Sequence, residues 1–439
     1  MKTRLEEKAM SRLFALALAV GLACLAPHAL AQDSAPVRIG VLGTFSGPTA
    51  EAGQSMRQGV RLAVEELNWK GGLADRKIVL VEVDDQNDPD RGEEEAKRLA
   101  ARGGVDYVVG LSNSAVAMRA LQPLQEAGVP VLIAGASDSS LTRLFEPPMH
   151  KLNYVFRVAA NDLAQADLIV RETIDRQHYK RLGILVESSP YGNAGRDMVR
   201  ERLRRRLYAP PFNGKADDVR GWVRDAEGAM QAPFVAQFQS GQTDMAGLLN
   251  QARAAQVDAL VVWGQTAETA AIARTRARMG WSVPIVGGSD LASAAFVKGA
   301  GKAGQAVRMP TTMVADPINS RRQEFLLALK RQGGAEALAV LPAAAQGYDA
   351  MLLLAAASRQ AQSAERNAVR AALEALKGGV FGVITTYQAP FSRENHEAIS
   401  ADMVGIGEIQ GERIAYAHKD EVSAIIVGKR IAAGTPQRP

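Results

Sequence analysis

Short apolar runs alternate with longer amphipathic segments along most of the chain. The first run, Val37 to Leu42, predicts a buried strand, and Met56, Val60 and Leu67 then share one face at helical spacing. Further apolar runs of strand length, separated by helical segments, lie at residues 78–83, 105–109 and 129–133. This β-α-β alternation predicts a parallel sheet that helices cover on both faces.

A second series of the same kind follows Tyr154. Its predicted strands lie at residues 182–186, 257–262 and 283–286. Two successive series predict an α/β protein with two lobes of similar construction. Residues 207–242 interrupt the pattern with Pro210-Pro211 and Asn213-Gly214, so we expect an insertion with little regular structure there.

Both ends of the chain differ from this pattern. Basic residues precede an apolar run from Leu13 to Leu25, and Ala29-Leu30-Ala31 has the small residues that a signal peptidase needs. We therefore expect residues 1–31 to be a signal peptide that is removed on export to the periplasm. At the other end, residues 426–439 are predicted to be a tail.

The only cysteine of the chain, Cys24, lies inside the predicted signal peptide. We interpret it as an apolar residue of that segment, and the alternative is a lipid attachment site. Without residues 1–31, about 408 residues remain, which is enough for two domains, and none of them is a cysteine. A disulfide, a thiolate metal site and a cysteine nucleophile are therefore excluded from the mature chain.

Charge gives little reason to expect a nucleic acid as a partner. The net charge is +5, and it falls to about +3 when the four basic and two acidic residues of the signal segment are subtracted. Arg202, Arg204, Arg205 and Arg206 cluster on one predicted helix, but no aromatic residues accompany them. Such a cluster is typical of a solvated helix face. No stretch after the signal segment has the length and apolar character of a membrane-spanning helix.

Motifs for catalysis are missing. Gly40, Gly43 and Gly47 follow the first strand without the spacing of a dinucleotide-binding loop, and the chain has no phosphate-binding loop and no nucleophile elbow. The five histidines are isolated from one another. We therefore expect no catalytic residue, no cofactor and no metal site.

An ordered set of segments resembles the leucine/isoleucine/valine-binding family of periplasmic substrate-binding proteins of ABC transporters. The matching segments of this sequence are the Ser46-Gly47-Pro48 loop, Asn68-x-x-Gly71-Gly72, Asp84-Asp85-x-x-Asp88-Pro89, the stretch from Ala134 to Thr142, and Gly347-Tyr348-Asp349. Each motif is weak alone, but together they span residues 36 to 415 in order.

The resemblance implies the type I periplasmic-binding fold, in which two doubly wound parallel-sheet lobes are joined by a three-segment hinge and close on a ligand. It predicts one lobe at 36–158 and 313–385 and the other at 159–312 and 386–425. It also implies a monomer that delivers its small-molecule ligand to an inner-membrane ABC permease. A ligand-sensing module for a receptor is an alternative, because the same fold serves both roles.

The resemblance also implies which residues bind the ligand. Ser114, at a helix start after the third predicted strand, matches a position that binds the ligand carboxylate, although a helix cap is the simpler interpretation. Gly135, Ala136 and Ser137 match a loop that holds the carboxylate and ammonium groups. Tyr191 matches an aromatic residue that closes over the ligand from the second lobe.

One difference from the pattern of the family leaves the class of ligand undecided. Family members that bind amino acids have an acid after the strand at residues 283–286, where this chain has Ser289 followed by Asp290. If Asp290 takes that role, the ligand is an amino acid, with branched-chain or other apolar ones favoured by the resemblance. Otherwise an aromatic or aliphatic carboxylate or a short amide is the alternative. For Arg157, at the first crossover, we expect a structural ion pair.

Overall fold

The apolar runs of the N-terminal series become a five-stranded sheet in the computed structural model, which describes residues 35–205 and 230–427. All neighbouring strands are parallel, in the order β2-β1-β3-β4-β5. The strands are β1 (Val37–Gly43), β2 (Ile78–Asp84), β3 (Tyr107–Gly110), β4 (Val131–Ile133) and β5 (Val155–Arg157). The helices α1 (Ala50–Trp69), α2 (Pro89–Ala100) and α3 (Ser114–Glu126) connect the first four. The central strands β3 and β4 are buried along their whole length because helices cover both faces.

The second series forms a larger sheet. Its parallel strands are β6 (Leu182–Glu187), β7 (Phe234–Phe238), β8 (Ala259–Trp263), β9 (Ile285–Gly287) and β10 (Arg308–Thr311). The helices of this lobe are α4 (Asp162–Val170), α5 (Pro190–Arg205), α6 (Ala246–Ala254), α7 (Thr266–Arg278) and α8 (Ala294–Ala300). The described structure therefore has two α/β lobes, as the sequence predicts.

The C-terminal part of the chain contributes to both lobes. Its elements are α9 (Ser320–Ala337), α10 (Leu341–Ala361), α11 (Arg366–Glu374), β11 (Gly379–Phe381), β12 (Thr386–Gln388), β13 (Gly405–Gln410), β14 (Arg413–Tyr416) and α12 (Lys419–Val427). Helix α10 packs on α1 so closely that a Cβ at Gly59 would lie 1.9 Å from the Ala344 carbonyl oxygen. Strands β13 and β14 join the second sheet in antiparallel orientation. The second sheet is therefore mixed, with the order β14-β13-β10-β9-β8-β6-β7.

The chain passes between the lobes three times, after β5, after β10 and before β13. Residues 386–398 still pack on the first lobe: the Tyr387 hydroxyl donates to the Asp349 carboxylate of α10 at 2.9 Å, and Arg157 forms a parallel bridge with Glu397. The third crossover thus follows residue 398, some residues beyond the boundary that the sequence predicts between 385 and 386.

The predicted insertion contains a strand, so the expectation of little regular structure is wrong for Phe234–Phe238. Strand β7 lies at the sheet edge and pairs only with β6 among the described strands. Its first four side chains are alternately partly buried and exposed, and only Phe238 is fully buried, which weakens the apolar signal that marks the central strands. Residues 206–229, the predicted signal peptide with Cys24, and residues 428–439 of the tail lie outside the described residues.

Within the described ranges, no helix combines the length and the apolar character that crossing a membrane requires.

Candidate functional site

The predicted site residues all follow the carboxyl ends of parallel strands. Ser114 begins α3 after β3, and Gly135–Ser137 follow β4. On the second lobe, Tyr191 lies in the first turn of α5 after β6, and Asp290 follows β9. The carboxyl ends of parallel strands are where ligands bind in open α/β sheets.

Ser114 is not the helix cap. The cap of α3 is Asn113, whose side chain accepts the Ala115 and Val116 amides at 2.8 and 3.2 Å. The Ser114 hydroxyl oxygen accepts the amides of Ser137 and Asp138, each at 3.2 Å. It therefore joins the two loops of the first lobe and keeps its own O–H as a donor for a further group.

The loop after β4 approaches the loop after β3 by backbone contact. A Cβ added at Gly135 would lie 2.8 Å from the Ser112 Cα, so a larger residue would push the loops apart. The Ala136 amide donates to the Leu111 carbonyl at 2.8 Å. The Ser137 carbonyl accepts the amide of Asp162, the first residue of α4, also at 2.8 Å. This last bond ties the loop to the second lobe.

Tyr191 and Asp290 meet on the second lobe, where the tyrosine hydroxyl donates to the Asp290 carboxylate. The Tyr191 ring also lies against the ring of buried Trp263, with centroids 5.9 Å apart. Burial raises the pKa of Asp290 to about 6, and the charge of Glu187 adds to the shift. Burial and the charges of Asp290 and Asp162 raise the pKa of Tyr191 well above its usual value.

A further acid, Asp162, lies beside these residues and was missed by the sequence reasoning. It is fully buried, and the Ser137 hydroxyl is the side-chain donor beside its carboxylate. Burial raises its pKa to about 7, opposed by the hydrogen bond with Ser137 and the charge of Arg157 and reinforced by the charges of Asp138 and Asp290. One aspartate in the first turn of a helix is common, because it favours the helix dipole, so the sequence contains no signal for this role.

Arg157 holds the hinge together through the ion pair that we expected. Its guanidinium contacts both carboxylate oxygens of Glu397, at 2.8 and 2.6 Å, and it is fully buried. It also donates to the carbonyl oxygens of Ala136 and Asp138, at 3.2 and 2.6 Å. The first and third crossovers are thereby linked to the loop after β4.

The two lobes touch in this structure. The Ala294 amide at the start of α8 donates to the carbonyl oxygen of Ala339 in the first lobe, at 2.7 Å. Helix α3 of the first lobe also lies against α5 of the second. The lobes are therefore in direct contact at the start of α8 and between α3 and α5.

In the part of the chain that the structure describes, no cluster of three or more His, Cys, Asp or Glu side chains is placed to hold a metal ion.

Comparison with known proteins points to one family. The family described as "Periplasmic binding protein" matches residues 36–206 and 213–410. The Leu/Ile/Val-binding protein BraC3 of Rhizobium johnstonii is 26% identical over 262 residues, which are 60% of this chain and 64% of that protein. The match thus spans slightly less than two thirds of that relative.

Two solved structures have the same fold. A type 1 periplasmic binding protein from Bordetella pertussis is 26% identical, covers 87% of this chain and 99% of that chain, and gives a TM-score of 0.71. A solute-binding protein of an ABC transporter from Rhodopseudomonas palustris, in complex with 3,4-dihydroxybenzoic acid, is 17% identical at a TM-score of 0.69, covering 87% and 96% of the two chains. Both comparisons show that this chain has the fold of these proteins.

Proposed function

Because this chain belongs to the periplasmic binding protein family, we propose that it captures an amino acid in the cleft between its two lobes and delivers it to an ABC permease of the inner membrane. The observation that carries the proposal is the division of polar groups across the cleft. The first lobe presents the hydroxyls of Ser114 and Ser137, and the second presents the Tyr191–Asp290 pair.

These groups match the two ends of a zwitterion. Hydroxyl donors in the loops of the first lobe bind the carboxylate, and the Asp290 carboxylate accepts the ammonium group. Both ends need a partner, because a charge left unpaired in a closed cleft costs several kcal/mol, on the order of 2–5. Apolar amino acids, among them the branched-chain ones in the name of the Rhizobium relative, are the first candidates.

A carboxylate without an amino group is the second candidate. It is supported by the bound 3,4-dihydroxybenzoic acid of the Rhodopseudomonas palustris protein. The acids of the cleft count against it, since Asp162 and Asp290 would repel a ligand that is only anionic.

We also propose that the protein works as a monomer outside the cytoplasm after residues 1–31 are removed as a signal peptide. The description of the family as periplasmic supports the location, and the basic, apolar and small-residue pattern of residues 1–31 supports the cleavage.

A thermal-shift screen of the purified exported protein tests the function. The panel contains the amino acids, aromatic and aliphatic carboxylates, and short amides. A true ligand at a thousandfold excess over its Kd stabilises the protein by about 4 kcal/mol, so we expect a clear rise in Tm with at least one apolar amino acid. The absence of a shift with every compound would count against solute binding itself. A shift with carboxylates alone would select the second candidate.

A further inference from the structure

A groove on the first lobe lies at the end opposite the binding cleft. It has a volume of about 420 Å³ and runs between the last turn of α1, the second half of α10 and strand β11. Its apolar lining includes Leu67, Leu352, Leu376 and Val380. Helix α1 starts after the carboxyl end of β1, on the cleft side of the sheet, and its 20 residues extend about 30 Å. The groove at its last turn is therefore a surface of its own, separate from the candidate ligand site.

Basic side chains dominate the charge of this surface, which we call the basic groove. Its lining contains one acidic residue, Glu66, and four basic residues, Lys70, Arg321, Arg359 and Lys377. Glu66 is already paired with Lys70 at 2.6 Å and with Arg321 at 3.6 Å. Arg359 and Lys377 are exposed, and neither forms an ion pair with an acid among the described residues. The lining therefore carries a net charge of +3, four minus one, and two of its cations have no anion.

Two aromatic side chains project into water beside the basic groove. Phe381 on β11 lines the groove and is 70% exposed, and Trp69, next to Lys70 at the end of α1, is 87% exposed. Single exposed apolar residues are common, but these two accompany cations that have no anion. Exposed aromatic rings beside lysine and arginine are typical of proteins that bind at the surface of a lipid bilayer.

The charge of the basic groove favours an anionic partner. In a symmetric dimer, two copies of the groove would face each other and their like charges would repel, which counts against a second copy of this chain. A bilayer fits the surface better than a folded acidic protein does. Protruding rings enter the soft headgroup region of a bilayer, whereas a protein needs a preformed pocket for each ring.

We propose that the basic groove docks on the surface of an anionic lipid bilayer. Its cations bind the phosphate groups of anionic lipids, and the rings of Trp69 and Phe381 enter the boundary between headgroups and acyl chains. This interaction goes beyond solute capture and does not involve the cleft residues. It holds the protein at a membrane surface while the cleft, at the other end of the lobe, stays free to bind its ligand.

Co-sedimentation of the purified protein with vesicles tests the proposal. One set of vesicles contains phosphatidylglycerol and phosphatidylcholine in equal parts, and the other contains phosphatidylcholine alone. We expect binding to the anionic vesicles at low salt. Binding by Arg359→Gln/Lys377→Gln should be about 25-fold weaker, because each basic residue near an anionic surface contributes about fivefold.

The matched control is Lys298→Gln/Lys302→Gln on the second lobe, where both residues are exposed, at and just after the end of α8. It removes the same charge from a surface away from the groove, so it should weaken binding less than about threefold. Both double variants should keep the wild-type Tm, which shows that they are folded.

Tryptophan fluorescence locates the contact. Anionic vesicles with brominated acyl chains quench a tryptophan that reaches those chains, so part of the emission should be lost when the wild type docks. Trp263 is buried and should stay unquenched. Trp69→Phe should abolish the quenching and keep most of the binding, because phenylalanine is also an apolar ring. Quenching that persists in Trp69→Phe would mean that another surface of the protein touches the bilayer.

These outcomes are distinguishable from those of the ligand screen. Absent or equal binding to the two kinds of vesicle, or an equal loss in the two double variants, would overturn the docking surface and leave solute binding intact. Binding of labelled polyglutamate that Arg359→Gln/Lys377→Gln abolishes, without binding to vesicles, would assign the groove to an acidic protein instead. Binding to anionic vesicles with no ligand found in the screen would remove the proposed function and leave the docking surface in place.

Discussion

Burial raises the pKa values of Asp162, Asp290 and Asp349, but their surroundings differ. Burial raises the pKa of Asp349 to about 6 despite its three hydrogen bonds, and the pKa of Asp290 to about 6 with only Tyr191 as a side-chain donor. Asp162 has only the Ser137 hydroxyl beside it as a donor among the described residues, and burial raises its pKa to about 7. The number of donors therefore separates the acid that holds the fold from the acids that face the cleft.

The proposed role of Asp290 leads to a prediction for a single substitution. If the ligand is an amino acid, Asp290→Asn should weaken its binding by roughly 2–5 kcal/mol, because the ammonium group loses a charged partner. A carboxylate analogue without the amino group should bind the variant no worse. Calorimetry on both ligands measures the difference. Tyr191→Phe is the control, since it removes the hydroxyl that orients Asp290 and should cost only about 1 kcal/mol.

Wild-type affinity of Asp290→Asn for the amino acid would mean that this carboxylate does not contact the ligand. Its side chain would then serve only the bond to Tyr191.

The sequence supplied part of the candidate site as a prediction. Ser114, Ser137, Tyr191 and Asp290 were selected because each follows a predicted strand and matches a position of the family. The alternative interpretation of Ser114, as a helix cap, was wrong, because Asn113 one residue earlier takes that position. Asp162 could not be found, because its proximity to Ser137 arises from the path of the first crossover and leaves no periodic signal in the sequence.

At the scale of elements, interior strands were predictable, and two edge strands of the second sheet were not. The strands predicted at 37–42 and 182–186 lie within one residue of β1 and β6, because both are largely apolar and buried. Strand β7 at the sheet edge has alternating burial and was placed in an insertion. Strand β14, also at an edge, was missed, and none of its residues is fully buried. Edge strands give a weak signal because only part of their surface is covered.

Helix α8 gives a prediction about closure. Its first residue, Ala294, donates its amide to Ala339 across the lobes, at 2.7 Å. Proline is tolerated at the first position of a helix, and Ser293 before it is already extended, so Ala294→Pro should remove this bond without breaking α8. We expect ligand binding to weaken about 2- to 10-fold, because one hydrogen bond of the closed form, about 0.5–1.5 kcal/mol, is lost.

The effect of Ala294→Pro is measured by calorimetry together with small-angle scattering. The variant should show a larger radius of gyration than the wild type at equal, subsaturating ligand. Ala294→Ser keeps the amide at an exposed position and is the control. A loss of helical circular dichroism would show that the helix broke, and equal affinities with an equal radius of gyration would show that the bond does not stabilise closure.

At the scale of the whole molecule, two lobes that share a buried, acidic cleft make stability depend on pH. An acid whose pKa is higher in the folded than in the unfolded protein holds its proton over a pH range in which the unfolded chain releases it. Stability from such a group is present at low pH and is lost as the pH rises through its folded pKa. Asp162, Asp290 and Asp349 all belong to this class, with folded pKa values of about 7, 6 and 6.

Other acids determine how the stability changes at low pH. Glu66 and Glu374 have lowered pKa values, opposed by burial and caused by hydrogen bonds with groups such as Lys70 and His396. Their contribution is present above the ordinary pKa of a glutamate and is lost only as the pH falls below it. Between pH 5 and 8, the aspartates with raised pKa values therefore determine how the stability changes with pH.

Urea unfolding of the unliganded protein between pH 5 and 8 tests this account. We expect the free energy of unfolding to fall as the pH rises, with Asp162 alone contributing on the order of 2 kcal/mol over that range. The charged groups that face Asp162 are Arg157, Asp138 and Asp290, and their charges remain in Asp162→Asn, so this variant should keep only the shallower slope from the other acids. Asp88→Asn, at the exposed cap of α2, should keep the wild-type slope. If Asp162→Asn and Asp88→Asn have the same slope, Asp162 is already ionised at pH 5, and some donor must satisfy its carboxylate in the unliganded protein.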